Sequence, residues 1–327
     1  MNKRAQRLPP ALPSHFIEPA RAWAMTLFVI YAMGLAFGPG LLSYWMIAYA
    51  GWSIPALLIP VTALTVAAGF GFYVVGTIAH EGFHFTLARH KLASALIGTW
   101  FSAAVFAFFG VGFYLIHSRH HRHTNAVDDP DFQLFSKFNS TWQRLLVLRL
   151  VNNRGYLKLV ARLLIKNELP AGIHTIFSLA ELKFLAIVNV AAQLFWIGVY
   201  VTLFTTNPTL GLCVVLLPHA ATAAISATIV FVQHADTGDQ LFDNSRSHSS
   251  PWATLLMGGT NYHLEHHLYP RVPCWRLPRV HRWLQKTEWA LKNPLLAEHR
   301  FFAGLALVAG HHRYGSAAAS QSTARRN

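Results

Sequence analysis

Five apolar runs, each long enough to cross a bilayer, restrict this chain to a helical membrane protein: Ala22 to Met46, Ile54 to Ala79, Ala93 to Ile116, Phe184 to Phe204 and Leu210 to Val232. Backbone amides in hydrocarbon must find their partners within the protein, and an isolated run of this length does so as a helix. The overall balance agrees, since 53% hydrophobic and 12% charged residues, with a mean hydropathy of +0.33, are too apolar for a soluble domain of 327 residues.

Charge in the connections decides which runs cross. The links "IAYAGWS" and "TTNPT" contain no Lys or Arg, whereas the N-terminal tail, the stretch from Arg119 to Lys166 and the region from Arg271 onward are rich in both. Basic connections stay on the cytosolic side, so runs one and two form a hairpin, as do runs four and five. The third run has Lys91 before it and Arg119 after it, and a single crossing would break the parity. It is therefore predicted to be re-entrant or interfacial, with Gly110 and Gly112 permitting the break. The expected fold is an all-α integral membrane protein: four transmembrane helices in two hairpins, with a cytosolic helical cap. The stretch from Trp142 to Ile165 mixes Leu and Val with spaced Arg and Lys, as an amphipathic helix lying in the interface does. The N-terminus is basic and Pro-rich and lacks the apolar core and cleavage site of a signal peptide. The predicted organisation is a cytosolic tail over 1–21, a membrane domain over 22–315 and a disordered tail over 316–327, in a bacterial inner membrane.

The net charge of +14 comes from Lys and Arg that flank apolar segments and form no nucleic-acid-reading motif. It suits anionic lipid headgroups and an acidic redox partner, not nucleic acid. Cys213 and Cys274 make no C-x-x-C pair, which leaves no disulfide framework. Histidine is the outlier, with 19 copies against 13 Asp plus Glu.

Three histidine clusters follow the ends of apolar runs that the charge pattern places on one side: "HEGFH" (His80, His84), "HSRHHRHTN" (His117, His120, His121, with His123 nearby) and "NYHLEHHLYP" (His263, His266, His267). Residues three and four apart share a helical face, so each cluster can aim two or three imidazoles at one point. At this histidine frequency H-x-x-H-H should arise by chance roughly 0.06 times in such a chain, and it occurs twice. Alone, "HEGFH" fits the zinc site of a metalloprotease with Glu81 as base, but that leaves both H-x-x-H-H boxes unexplained. Imidazole suits Zn, Cu, Fe and Ni alike, and eight of them are too many for one metal. Two ions engaged in redox chemistry are the better reading. A metal-binding sensor or transporter would carry its clusters midway along the spans rather than beyond them.

In their order and in the residues around them, "HHRHTNAVDDPDF" and "NYHLEHHLYP" resemble the second and third histidine boxes of the membrane fatty acid desaturase family, with its non-haem di-iron centre. The resemblance runs from about His80 to about His281 and implies four transmembrane helices under a cytosolic cap. It implies two iron ions held by His80, His84, His117, His120, His121, His263, His266 and His267, with dioxygen as co-substrate. A further ligand from the end of the fourth span corresponds to His234, although Gln233 and the lack of an Asn just before it depart from some relatives. The implied activity is oxygen-dependent desaturation of a fatty acyl chain carried on a lipid, CoA or acyl carrier protein. A separate electron donor, ferredoxin-like, rubredoxin-like or cytochrome-type with its reductase, would supply the electrons. The alternative on the same scaffold is a carotenoid ketolase or hydroxylase, to which "RHHRHTNAVDDPDF" and "PCWRLP" also bear likeness.

Of the remaining polar residues, Asp128, Asp129 and Asp131 can be turn residues around Pro130 or can orient ligand rings through the distal nitrogen, and the resemblance favours the latter. Asn261 and Glu265 are candidates for the same task at the third box, though a solvated helix face would also explain Glu265. His219 is expected to be polar-paired or near a substrate cavity and is given no role. His90, His174, His248, His281, His299, His311 and His312 are expected at the interface or surface.

Overall fold

The computed structural model describes residues 8–18, 21–138, 140–293, 295–298, 307 and 313–315. The predicted C-terminal tail, the first seven residues, and His299, His311 and His312 lie outside them. In chain order the helices that matter are α1 (Ala22–Tyr49), α2 (Ile54–Phe83), α3 (Lys91–Ser102), α4 (Gly110–His123), α5 (Pro130–Phe135), α6 (Leu148–Ile165), α7 (Leu179–Thr206), α8 (Leu217–His234), α9 (Pro251–Met257), α10 (His263–Leu268) and α11 (Leu277–Leu284). Strand among the described residues is confined to a parallel pair, Ser247–His248 with Ala297–Glu298, and two isolated bridges from Ala235.

Four helices are long and apolar enough to cross a membrane: Ala22–Tyr49, Ile54–Phe83, Leu179–Thr206 and Pro208–His234, the last being α8 with the turns that lead into it. Their outward faces carry Leu27, Ile30, Leu42, Ile59, Leu194 and Phe195, all largely exposed, where hydrocarbon would cover them. The inward faces of α1 and α2 share one core, in which Ala32, Ala36, Phe72, Val75 and Ile78 are buried.

The third apolar run is not one helix. It breaks between Ser102 and Gly110, leaving α3 and α4 at 12 and 14 residues, each too short to span. The left-handed residue of the break is Ala107 (φ 57°), and neither glycine takes a positive φ. Gly112 instead allows close approach, since a Cβ there would stand 2.3 Å from the Tyr156 carbonyl oxygen on α6. The carbonyls freed by the break are recovered from later spans. Gln193 Nε2 on α7 donates to the carbonyls of Ala103 (3.2 Å), Val105 (3.2 Å) and Phe108 (2.8 Å). Tyr200 donates to the Ala104 carbonyl, and Asn189 Oδ1 accepts from Val111 N at 3.1 Å. His219 on α8 is polar-paired, with one ring nitrogen 2.7 Å from the Val215 carbonyl and the other 3.3 Å from that of Ala104. Non-helical backbone at such depth survives only with partners of this kind.

Helix α6, preceded by a π-helical turn over Gln143–Val147, buries Leu148, Tyr156, Val160 and Leu163 and exposes Leu150, Leu157 and Ile165. An apolar outer face beside spaced Arg and Lys is what a helix lying in the interface presents.

Candidate metal centre

Four elements bring histidines to one place. His80 lies in the last turn of α2 and His84 caps it, α4 carries His117, His120 and His121, His234 ends α8, and α10 carries His263, His266 and His267. These nine fall into two groups. His80, His84, His117, His121 and His266 form one, and His120, His234, His263 and His267 the other, with the candidate ligand atoms of each group within 4.8 Å of one another. His123, two residues past a box and turned away, is exposed.

The converging atoms are the Nε2 nitrogens. In the group of five the separations are 2.9 Å for His80 to His266, 2.9 Å for His266 to His121, 3.0 Å for His121 to His117 and 3.2 Å for His84 to His117. In the group of four, His234 to His263 is 2.9 Å, His267 to His263 is 3.1 Å and His120 to His267 is 3.3 Å. Two ligands about 90° to 109° apart around an ion about 2.1 Å away stand about 3.0–3.4 Å from each other, so both groups have the spacing of a metal's ligand shell.

The opposite ring nitrogens fix which atom offers its lone pair. His80 Nδ1 lies 3.0 Å from Glu81 Oε1, His120 Nδ1 is 3.0 Å from both Asp129 oxygens, and His234 Nδ1 donates to the Asn244 carbonyl at 3.0 Å. Thr124 gives its own proton to the His120 carbonyl, so its oxygen accepts from His267 Nδ1 at 3.4 Å. In these four rings an Nδ1–H committed to an acceptor leaves Nε2 as a lone pair whenever the ring is neutral, and lone pairs gathered about 3 Å apart favour a cation among them. The donor set fits a soft-to-borderline transition metal held by neutral imidazole. Burial first, and neighbouring imidazoles second, hold His84, His117, His121, His263, His266 and His267 well below the ordinary imidazole value, which keeps them neutral at pH 7. For His120 burial pulls in the same direction, but the charge and hydrogen bond of Asp129, aided by Asp131, lift the metal-free ring to about 9.

The carboxylate that orients a ring is Asp129. It is fully buried, bonds His120, accepts from Asn125 N (2.8 Å) and caps α5 through Asp131 N (2.9 Å). Asp131 stands further off, 3.7 Å from His120 Nδ1, and burial raises its carboxyl to about 6. Asp128 does not orient a histidine: its side chain is 69% exposed and lies 3.6 Å from Arg119. The N-cap of α5 turns Asp129 inward and its predecessor outward. Asn261 is buried but hydrogen-bonds no ligand ring. Its Nδ2 donates to the His248 carbonyl and Thr254 Oγ1, fixing the chain ahead of the third box. Glu265 is not on a solvated face, because it is buried between Ser247 Oγ and His281 Nδ1, each at 2.5 Å. His281 and His248, expected at the surface, are likewise buried. Gln233 is buried and bonds the Thr260 carbonyl at 3.1 Å.

Glu81 is 1% exposed and wholly engaged, by His80, by Thr86 Oγ1 at 2.7 Å and by Cys274 N at 3.0 Å. A protease base must reach a water on the metal, and this carboxylate is turned away to hold a ring instead.

A cavity of about 120 Å³ opens against both histidine groups, reaching His80, His117, His120, His234, His263 and His266. Phe72, Val105, Phe108, Phe113 and Val230 give it apolar wall, and Tyr73, Thr77, Ser226 and Thr260 add hydroxyls. Arg149, Asn152 and Tyr156, three and four apart on α6, complete it.

Residues 55–295 match the sequence profile of the family described as fatty acid desaturase. Among curated proteins the chain is 26% identical over 272 residues to a beta-carotene ketolase of Paracoccus sp. (strain PC1), covering 76% of this chain and 93% of that one. It is 26% identical over 265 residues to a beta-carotene ketolase of Paracoccus sp. (strain N81106 / MBIC 01143), covering 76% and 91% respectively.

Proposed function

The chain belongs to the fatty acid desaturase family, and from that premise we propose that it oxidises an unactivated methylene of a long-chain lipid, using dioxygen and electrons, at two iron ions. The observation that carries this reading is the pair of imidazole groups facing one largely apolar cavity. His80, His84, His117, His121 and His266 would hold one ion, and His120, His234, His263 and His267 the other. Bound there, the iron pair supplies the oxidising power toward a C–H bond that no side chain has.

The protein's own groups do the positioning. Asp129, Glu81, the Asn244 carbonyl and Thr124 hold their imidazoles in the tautomer that presents Nε2. Phe72, Phe108 and Phe113 line the approach to His80 and His117 and exclude water from a bound chain. Geometry then decides the outcome, because a methylene held a fraction of an ångström differently yields a double bond or an alcohol.

The specific activity we propose is desaturation of a fatty acyl chain: the substrate loses two hydrogens, and dioxygen with two electrons and two protons becomes two waters. The "NYHLEHHLYP" box supports it. The acyl group would arrive on a lipid, CoA or acyl carrier protein, and a separate donor with its reductase would deliver the electrons. The site would face the cytosol, under the ends of two spanning hairpins of an inner membrane. A second reading, ketolation or hydroxylation of a carotenoid, is favoured by the two ketolase relatives and by the hydroxyls in the cavity wall.

Expression in a carotenoid-producing host with an electron donor, followed by gas chromatography of fatty acid methyl esters and chromatography of carotenoids, tests both. A new double bond is expected. A keto-carotenoid without one would replace the first reading by the second, and one zinc per purified chain in place of iron would overturn both.

A further inference from the structure

A groove of about 740 Å³ opens at the start of the first span and shares no lining residue with the cavity at the histidines. Its walls are Leu27, Phe28 and Trp23 from α1, Leu255 from α9 and Trp275, with Leu27, Trp23 and Leu255 more than half exposed. Tyr31 donates to the Leu255 carbonyl and ties the two walls together. Three arginines, Arg21, Arg276 and Arg279, line the same groove, and no Asp or Glu does. Arg276 is pinned, with Nη1 donating to the carbonyls of His15, Phe16 and Glu18. Its distance of three residues from Arg279 puts the two on neighbouring sides of one turn, close enough to repel. Among the described residues neither Arg21 nor Arg279 pairs with a carboxylate. The nearby acidic group is Glu18, which acts on Arg276 from outside the groove.

Clustered guanidiniums without acidic partners call for an anion. The greasy walls belong to a membrane span, with Trp23 at the position of an interfacial anchor, so that anion must arrive on an amphiphile. We propose that this groove binds one anionic phospholipid, its phosphate headgroup against Arg21 and Arg279 and its acyl chains along Leu27 and Leu255.

Native mass spectrometry of the full chain in detergent tests it, with phosphatidylglycerol and phosphatidylcholine of identical acyl chains in competition. The wild type is expected to retain one phosphatidylglycerol in preference to phosphatidylcholine. The Arg21→Gln/Arg279→Gln variant should lose that preference by about 30-fold, the effect of removing two charges at a headgroup surface, and Arg21→Lys/Arg279→Lys should stay within a few-fold of wild type. The chain keeps its other basic residues in both variants, so a general attraction of its +14 charge for anionic lipid would survive the Gln changes. Equal retention of the two lipids by the wild type, a preference unchanged in the Gln variant, or displacement of the lipid by inorganic phosphate alone would overturn the proposal.

Discussion

Replacing Asp129 by Asn separates a carboxylate that merely packs from one that sets the chemistry of His120. Asp129 accepts from His120 Nδ1, Asn125 N and Asp131 N, all within 3.0 Å, at a position with no solvent exposure. Asp129→Ala removes the helix cap, costing about 1 kcal/mol, and a charge-assisted bond contributing about 1.5–3 kcal/mol. It also strands the Asn125 N–H, for a further cost of about 1–3 kcal/mol. The total of about 4–7 kcal/mol is comparable with the whole stability of many domains, so the Ala variant reports mainly on folding. Asn125 N and Asp131 N bond different oxygens of Asp129, so Asp129→Asn keeps an oxygen for only one of them and turns an NH₂ group toward the other and toward His120. The ring must then accept at Nδ1 and carry its proton on Nε2, which removes one lone pair from the group of four. Iron is expected to fall from two ions toward one per chain, with affinity at the weakened site down about 10- to 100-fold, while the one stranded backbone N–H lowers stability by about 1–3 kcal/mol, less than in the Ala variant. Metal content by inductively coupled plasma mass spectrometry under chelator competition, beside thermal unfolding in detergent, separates the two effects. Two ions per chain retained by the Asn variant as tightly as by wild type would refute the reasoning.

His266→Ala and His267→Ala each remove one imidazole from a different group, and both should abolish turnover and lower bound iron; activity in either variant would show that its group is not a metal site. Gln193→Leu is nearly isosteric but strands the carbonyls of Ala103 and Phe108, while that of Val105 keeps the bond from Phe108 N; this should cost about 2–6 kcal/mol in denaturant titrations, and an unchanged midpoint would contradict the role given to Gln193. Gly112→Ala pushes a methyl against Tyr156 backbone and should cost about 1–3 kcal/mol, whereas Gly34→Ala, with nothing within 4 Å, should be neutral or stabilising by up to about 1 kcal/mol. Equal effects of the two glycine changes on the unfolding midpoint would count against the close crossing of α4 and α6.

The four spans were legible because apolar length is written directly in the residues, and the links after the first and fourth runs lack basic charge. Eight of the nine histidines stood out because their spacing follows the helical repeat, His234 was indicated by the family resemblance, and the structure gathers all nine into two groups. The groups of carboxylates were less legible. "DDPD" offers three candidates, and only the N-cap geometry of a short helix selects Asp129 over Asp128. Glu265 stays open between a box-orienting and a solvated role because its partners, Ser247 and His281, are 18 and 16 residues away in sequence and meet it only after α10 and α11 pack. The support that Gln193 gives to the break was hidden for the same reason, since nothing in a span of Leu, Val and Ala says which distant carbonyls its one amide will reach.

The distance along the chain between that amide and its acceptors has a consequence for biogenesis. Gln193 lies 85 to 90 residues after the carbonyls it serves, Tyr200 lies 96 after its own and His219 lies 115 after it. At a synthesis rate of about 5–20 residues per second the segment between α3 and α4 exists for roughly 4–20 s before its first partner has been made. Through that interval water is the available acceptor and donor, which keeps the segment out of hydrocarbon. Seating of the first two histidine boxes is therefore expected to wait on the second half of the chain.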